Sequence, residues 1–155
     1  MGGRSRGYEA ERELVRKLWR RGFAVVRGPA SGAKVRKAVY PDVVAIKNRH
    51  VLVFEVKKRS RLESIYLDKE QVAKLREFAR RAGGDAFIAI KISGMPWRFV
   101  SVERLVDTGG SYKVSHEEIE KGLSFNDLMA LVETTIPLTE FANKNRGRDE
   151  ASTRA

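Results

Sequence analysis

Two short apolar runs, Val43-Val44-Ala45-Ile46 and Val51-Leu52-Val53-Phe54, stand on either side of Lys47-Asn48-Arg49-His50. β-Branched and aromatic residues around a short polar break predict a β-hairpin. Alternate residues of a strand share a face. Val51, Val53, Glu55 and Lys57 therefore line one side of the second strand, and Leu52, Phe54 and Val56 the other. Asp42, Val44 and Ile46 share a face of the first strand. A turn at Asn48-Arg49 pairs Lys47 with His50 and sets Asp42 opposite Glu55. A loop two residues out of phase changes the partner but keeps the face. Two opposed carboxylates repel each other in a sheet. A cation between them removes that cost, and the ammonium of Lys57 stands beside it. Asp on one strand with Glu-x-Lys on its neighbour is a pattern used for metal-dependent phosphodiester chemistry. The same residues also suit a solvated Glu55–Lys57 pair on an open sheet face.

Composition narrows the chemistry. The 155 residues fit one domain, expected over 1–141 with a polar, disordered tail over 142–155. Cysteine is absent and histidine occurs twice, at His50 and His116, so thiolate and histidine-rich metal sites are excluded. Any metal must bind oxygen ligands, which points to Mg²⁺ with Mn²⁺ as a substitute. No apolar run approaches the roughly 20 residues of a membrane span, and the start of the chain has no apolar signal core. No membrane partner is expected, and the protein is read as cytoplasmic. The net charge of +11 is unevenly placed. Residues 1–61 hold 17 Lys/Arg against 5 Asp/Glu, and residues 62–155 hold 14 against 15. The cationic excess thus surrounds the carboxylates, as suits a polyanion that needs metal at one point. An ion-paired thermophile surface is the other reading, but paired charges should balance.

Along the chain, residues 1–6 read as a flexible basic arm. A helix is expected from about Tyr8 to Arg21, closed by Gly22. Its inward stripe is read as Leu14, Val15, Leu18 and Trp19, with Glu11 on the stripe and Glu9 and Glu13 pointing away. Glu11 also suits the helix dipole as a first-turn acid. A strand at Phe23–Arg27 leads into a long loop, 28–40, that carries Ser31, Lys34, Arg36 and Lys37. Such loops often contact ligand. After the hairpin, Asp68 and Gln71 have the spacing of a capping box at a helix start. Val72, Leu75, Phe78, Ala79 and Ala82 form its apolar face, and Gly83-Gly84 ends it. Strands at Ala86–Lys91 and Trp97–Val102 follow. Residues 107–122 read as loops with a short strand near Tyr112. Ser124 to Asp127 caps a last helix carrying Leu128, Leu131 and Val132, and apolar residues Ile136, Leu138 and Phe141 continue from it. The order predicts an α/β fold with a central mixed five-stranded sheet flanked by helices.

Taken together, Glu11-Arg12-Glu13-Leu14, Gly22 to Arg27, Ser31-Gly32, Pro41-Asp42, Glu55-Val56-Lys57, Phe78-Ala79-Arg80 and Trp97-Arg98-Phe99 resemble the archaeal Holliday junction resolvases. These enzymes have the restriction-endonuclease-like nuclease fold. The resemblance spans about Arg6 to Phe141. It implies a homodimeric, Mg²⁺-dependent endonuclease of recombination and repair that cuts four-way DNA junctions symmetrically, from a thermophilic archaeal source. It implies that Glu11, Asp42 and Glu55 hold the metal and that Lys57 completes the site. Lys57 would orient or deprotonate a water, or steady developing charge. Ser31 is implicated in cleavage, and Arg12, Arg27, Phe78 and Lys91 match DNA-contact positions. Lys34, Arg36 and Lys37 add loop cations to that set. Some members carry an aromatic residue where this chain has Ala82. Another nuclease of the same fold acting on flaps or nicks, and a DNA-binding module without chemistry, are the alternatives. A sliding clamp or another repair protein as a partner is left open by the sequence.

Overall fold

A computed structural model describes residues 3–29 and 40–133, with side chains from Gly7 onward. The elements in order are α1 (Gly3–Arg20), β1 (Ala24–Arg27), β2 (Val43–Lys47), β3 (His50–Arg59), β4 (Ile65–Leu67), α2 (Lys69–Ala82), β5 (Asp85–Ile92) and β6 (Arg98–Ser101). A 3-10 turn (Val102–Arg104), β7 (Val106–Asp107), β8 (Tyr112–Val114), α3 (His116–Glu120) and α4 (Phe125–Glu133) follow. Five strands form one sheet in the order β1-β2-β3-β5-β6. Only β3 and β5 run parallel, so the sheet is mixed as expected.

The hairpin follows the expected register. Lys47 pairs with His50, Val44 with Val53 and Val43 with Phe54. Asn48 (φ 51°) and Arg49 (φ 66°) both take the left-handed conformation that a two-residue hairpin turn demands. Two cores lie on opposite faces of the sheet. On the α1 face, Phe54 meets Phe99 edge-on at 5.7 Å between ring centroids, above Leu14, Leu18 and Phe23. On the α2 face, Val53, Ile88 and Ile90 pack with Val72 and Leu75. A second sheet, β4-β8-β7, joins the α2-face core through Ile65, Leu67 and Val114.

Several expectations need correction. The basic arm is helical from Gly3, so α1 begins a turn and more earlier than its apolar pattern suggested. Its stripe is centred on Ala10, Leu14 and Leu18, all buried, while Trp19 is 67% exposed. The helix is thus rotated from the expected setting, which carries Glu13 and Lys17 to the edge of the core. Glu13 accepts a hydrogen bond from Trp97 Nε1 at 3.1 Å and does not point away. Lys17 lies over the Phe125 ring at 4.7 Å. Ala82 and Leu131 are exposed. In α4 the core positions are Leu128, Met129 and Val132. The cap of that helix is as expected: Ser124 Oγ accepts from Asp127 N, and Asp127 Oδ2 accepts from Ser124 N. Among the described residues, no helix is long and apolar enough to cross a membrane. The loop residues Ser31, Lys34, Arg36 and Lys37, the apolar residues after Glu133 and the tail over 142–155 lie outside the described residues.

Candidate active site

Past the last ladder pair of the hairpin, the same register sets Asp42 beside Glu55, and each carboxyl acts on the other's charge. The chain fixes Asp42 from several sides. Pro41 precedes it, its N–H donates to Phe54 O at 3.0 Å, and its Oδ2 accepts from Val56 N at 2.8 Å. Gly28, just after β1, donates to Asp42 O at 2.8 Å. A Cβ on Gly28 would sit 2.2 Å from Pro41 O, so only glycine lets the two segments meet this closely.

Glu55 is the only buried charged side chain among the described residues, 7% exposed. It projects from the α2 face of the sheet, as does Val53. Its Oε1 lies 3.5 Å from Lys57 Nζ and accepts a 2.5 Å hydrogen bond from Gln71 Nε2 on α2. Burial, then the Asp42 charge, push its carboxyl up to about 8, against the opposing pull of Lys57. Burial also raises Asp42, while the Val56 amide and its bond to Glu55 hold it down. The pair therefore keeps a proton in the range where isolated carboxylates have lost theirs.

Glu11 comes from the other face of the sheet. It is half-buried on α1 and pairs with Arg27 at 3.5 Å. Arg27 in turn lies over the Tyr8 ring at 4.4 Å and is registered opposite Val43, next to Asp42. Burial and the Asp42 charge both raise Glu11, and Arg27 opposes them. Asp42 thus couples to Glu55 on one side and to Glu11 on the other. Among the described residues these acids do not form a closed three-ligand cluster, and Glu11 is paired with Arg27. Arg12, Arg16, Val15 and Arg27 line an open depression of about 300 Å³ beside Glu11.

The remaining expected residues lie apart from this centre. Phe78 packs against the α2-face core. Lys91 follows Phe87 and Ala89 on the α1 face, opposite to Glu55, and donates to Met95 O. Three neighbours escaped the sequence reading. In the sequence Gln71 has the spacing of a capping residue, Gly28 is one residue of the 28–40 stretch, and no pattern singles out Arg16. The Pro41 carbonyl contact that demands Gly28 is between segments far apart in sequence, so no local pattern marks it.

The acid pair makes a checkable statement about stability. Glu55 and Asp42 bind protons more tightly in the folded chain than in the unfolded one. Their contribution is fully present at low pH and is lost as pH rises from the ordinary carboxylate range to about 8. Without divalent metal, the unfolding free energy should fall across that window by up to about 1.4 kcal/mol per pH unit for each proton involved, and the melting temperature with it. Glu55→Gln should flatten the fall. Calorimetry in EDTA from pH 5 to 9 measures it, and a melting temperature that rises through that window would contradict the assignment.

This chain matches the family model of the archaeal Holliday junction resolvases over residues 3–136. It belongs to that family. A crossover junction endodeoxyribonuclease Hjc from Sulfurisphaera tokodaii is 43% identical over 137 residues, which cover 88% of this chain and 94% of that protein. The protein of the same name from Sulfolobus acidocaldarius is 38% identical over 140 residues, 90% of this chain and 96% of its own length. The 1.6 Å structure of Archaeoglobus fulgidus Hjc, a Holliday junction resolvase, superposes with a TM-score of 0.70 at 32% identity, covering 81% of this chain and 96% of that one. The mixed five-stranded sheet flanked by helices is the fold shared with that structure.

Proposed function

We propose that this chain is a structure-specific endodeoxyribonuclease that resolves four-way DNA junctions with Mg²⁺, acting inside the cell as a homodimer. The adjacent Asp42 and Glu55 carboxyls, one of them buried, carry the reading. Two carboxyls set side by side, one of them buried, are suited to share a divalent cation, and an all-oxygen donor set matches Mg²⁺ or Mn²⁺. Asp42 and Glu55 would hold the ion, and Glu11 would join them by exchanging its Arg27 contact. When bound, the ion supplies a water of lowered pKa and positive charge at the scissile phosphate. The Val56 amide fixes Asp42 in place for this. Lys57, with its Nζ 3.5 Å from Glu55 Oε1, stands where it can orient the attacking water, take its proton as the neutral amine, or as the ammonium steady the charge that develops. Ser31 would act from the loop after β1.

Arg12 and Arg27, with Arg16 between them in the depression beside Glu11, would hold backbone phosphates, and Lys34, Arg36 and Lys37 would extend that grip. Phosphate contacts position a protein without reading bases, as junction recognition by shape requires. Phe78 and Lys91 remain proposed DNA contacts on other parts of the surface. Affinity should fall with salt, each phosphate neutralised adding about 0.9 to the slope of log affinity against log salt on duplex arms. Replacing Lys34, Arg36 and Lys37 together by alanine should lower the slope by about 2 to 3. Titrations from 50 to 300 mM salt read this, and an unchanged slope removes the loop from the interface.

The homodimer draws support from an uncovered apolar part of the sheet. On the α2 face, α2 lies over β3 and β5. Val26 is 63% exposed and Ile46 43%, with Val44 and Val51 partly buried beside them. This patch carries no charge on a chain of net charge +11, so two copies can meet there without opposing their cations. Paired subunits match the two-fold symmetry of symmetric junction cleavage.

The deciding experiment compares cleavage of a synthetic four-way junction, a flap and a linear duplex, with and without Mg²⁺, beside equilibrium sedimentation. Metal-dependent symmetric cuts in the junction and a mass twice 17.5 kDa are expected. Preferential flap cleavage would favour another branched substrate, and no cleavage with any metal would leave a DNA-binding module.

A further inference from the structure

We infer that Gln71 is a positioning residue for the metal site: its side-chain amide, 2.5 Å from Glu55 Oε1, holds that carboxyl in the orientation in which it can accept a divalent cation. The inference rests on the reading of Asp42 and Glu55 as metal ligands.

Gln71 is the only glutamine in the chain, and it occupies the third residue of α2. A glutamine there ordinarily reaches back to the N-cap backbone. Here the start of α2 is served by Asp68, whose carboxylate accepts from Glu70 N at 2.7 Å. The Gln71 side chain turns inward instead and meets the sheet. It approaches Glu55 from the helix, while Lys57 approaches the same oxygen along the strand at 3.5 Å. Two donors converging on Oε1 fix the carboxyl plane.

The chemistry of the donor decides its value. An ammonium holds a carboxylate but also neutralises it, which competes with a cation. A carboxamide donates a hydrogen bond without bringing a full charge, so it can stay in place when the ion binds. Partners of this kind behind a ligating carboxylate or histidine typically contribute 10- to 100-fold to metal affinity. The amide reaches Glu55 because α2 starts directly after β4 and packs against β3, so the contact ties the position of the helix to the geometry of the site.

Mn²⁺ binding to the DNA-free dimer, followed by electron paramagnetic resonance, tests this without relying on cleavage. Gln71→Met keeps the length of the side chain and removes the donor. It should weaken Mn²⁺ binding by about 10- to 100-fold, raise the Mg²⁺ concentration for half-maximal cleavage in parallel, and leave junction affinity in EDTA unchanged. Gln71→Asn, one methylene too short, should behave in the same way. Mn²⁺ affinity within twofold of wild type in both variants would overturn the proposal. So would a loss of affinity accompanied by an equal loss of junction binding in EDTA, which would mean that the fold and not the carboxyl had moved. Glu55→Gln separates the two levels of the argument. If it binds Mn²⁺ as tightly as wild type, the metal-site reading itself fails; if it loses Mn²⁺ while the Gln71 variants keep it, only the role of Gln71 fails.

Discussion

Asp42→Asn and Glu55→Gln should each abolish junction cleavage, by at least about a thousandfold, while junction binding is kept or tightened. Electrostatic groups that stabilise a transition state are worth about a hundred- to a thousandfold each, and a lost ligand also empties the ion from its place. The direction of the binding change follows from charge. Each substitution removes a negative group from a pocket that faces phosphates, and leaves Arg12, Arg16 and Arg27 untouched. Stability should respond in the opposite sense from a damaged core. Two carboxyls held together against their repulsion, one of them 7% exposed, cost the fold free energy in the absence of metal. An amide at either position removes one buried acid and keeps a hydrogen-bonding group of the same shape. The metal-free variants should therefore melt at or above wild type near pH 8, and the gain should shrink when Mg²⁺ is added to wild type. Single-turnover cleavage, gel-shift titration in EDTA and calorimetry read the three effects. Wild-type cleavage by both variants would remove the pair from the chemistry. Loss of cleavage together with a fall in melting temperature would make the pair a structural element instead.

What the sequence disclosed depended on how local the cause was. The hairpin was legible because its turn and its alternation lie within 16 residues, and register then follows from arithmetic. Asp42 could be placed against Glu55 for that reason. Strands of two or three residues, as in β4, β7 and β8, have too few positions for a period to show. They are held by Ile65, Leu67 and Val114 reaching the α2-face core, a tertiary cause. The setting of α1 was misread because Trp19 counts as apolar in any pattern, yet it lies outside the buried line of Ala10, Leu14 and Leu18. Gln71 fitted two roles, and the local one concealed the contact with Glu55. The side of the sheet from which each acid comes was not legible at all. Glu11 and Glu55 lie on opposite faces and meet only through Asp42 at the strand end, which no spacing in the chain encodes.

That geometry sharpens the choice among the acids of α1. A dipole role would treat Glu9, Glu11 and Glu13 alike, but α1 starts at Gly3 and none of them is in its first turn. What distinguishes them is the neighbour each one meets. Glu9 is exposed. Glu11 lies on the flank facing Arg27 and Asp42, and Glu13 on the other flank, bonded to the indole of Trp97. Glu11→Gln should lower metal-dependent cleavage about a hundredfold or more, as loss of one charged group from a metal centre implies, with little change in melting temperature, because Arg27 keeps its stacking on Tyr8. Glu9→Gln should cut within a few-fold of wild type, as exposed substitutions do. Glu13→Gln still offers Trp97 an acceptor and should be equally mild. Glu13→Ala leaves a buried indole N–H without its partner, at a cost of about 1 to 3 kcal/mol. It should melt several degrees lower yet cut normally well below that temperature. Cleavage and melting would thus separate along the two flanks of one helix. If Glu13→Gln abolished cleavage and Glu11→Gln spared it, the chemistry would lie on the Trp97 side of α1, and Asp42 would have to find its third carboxylate there.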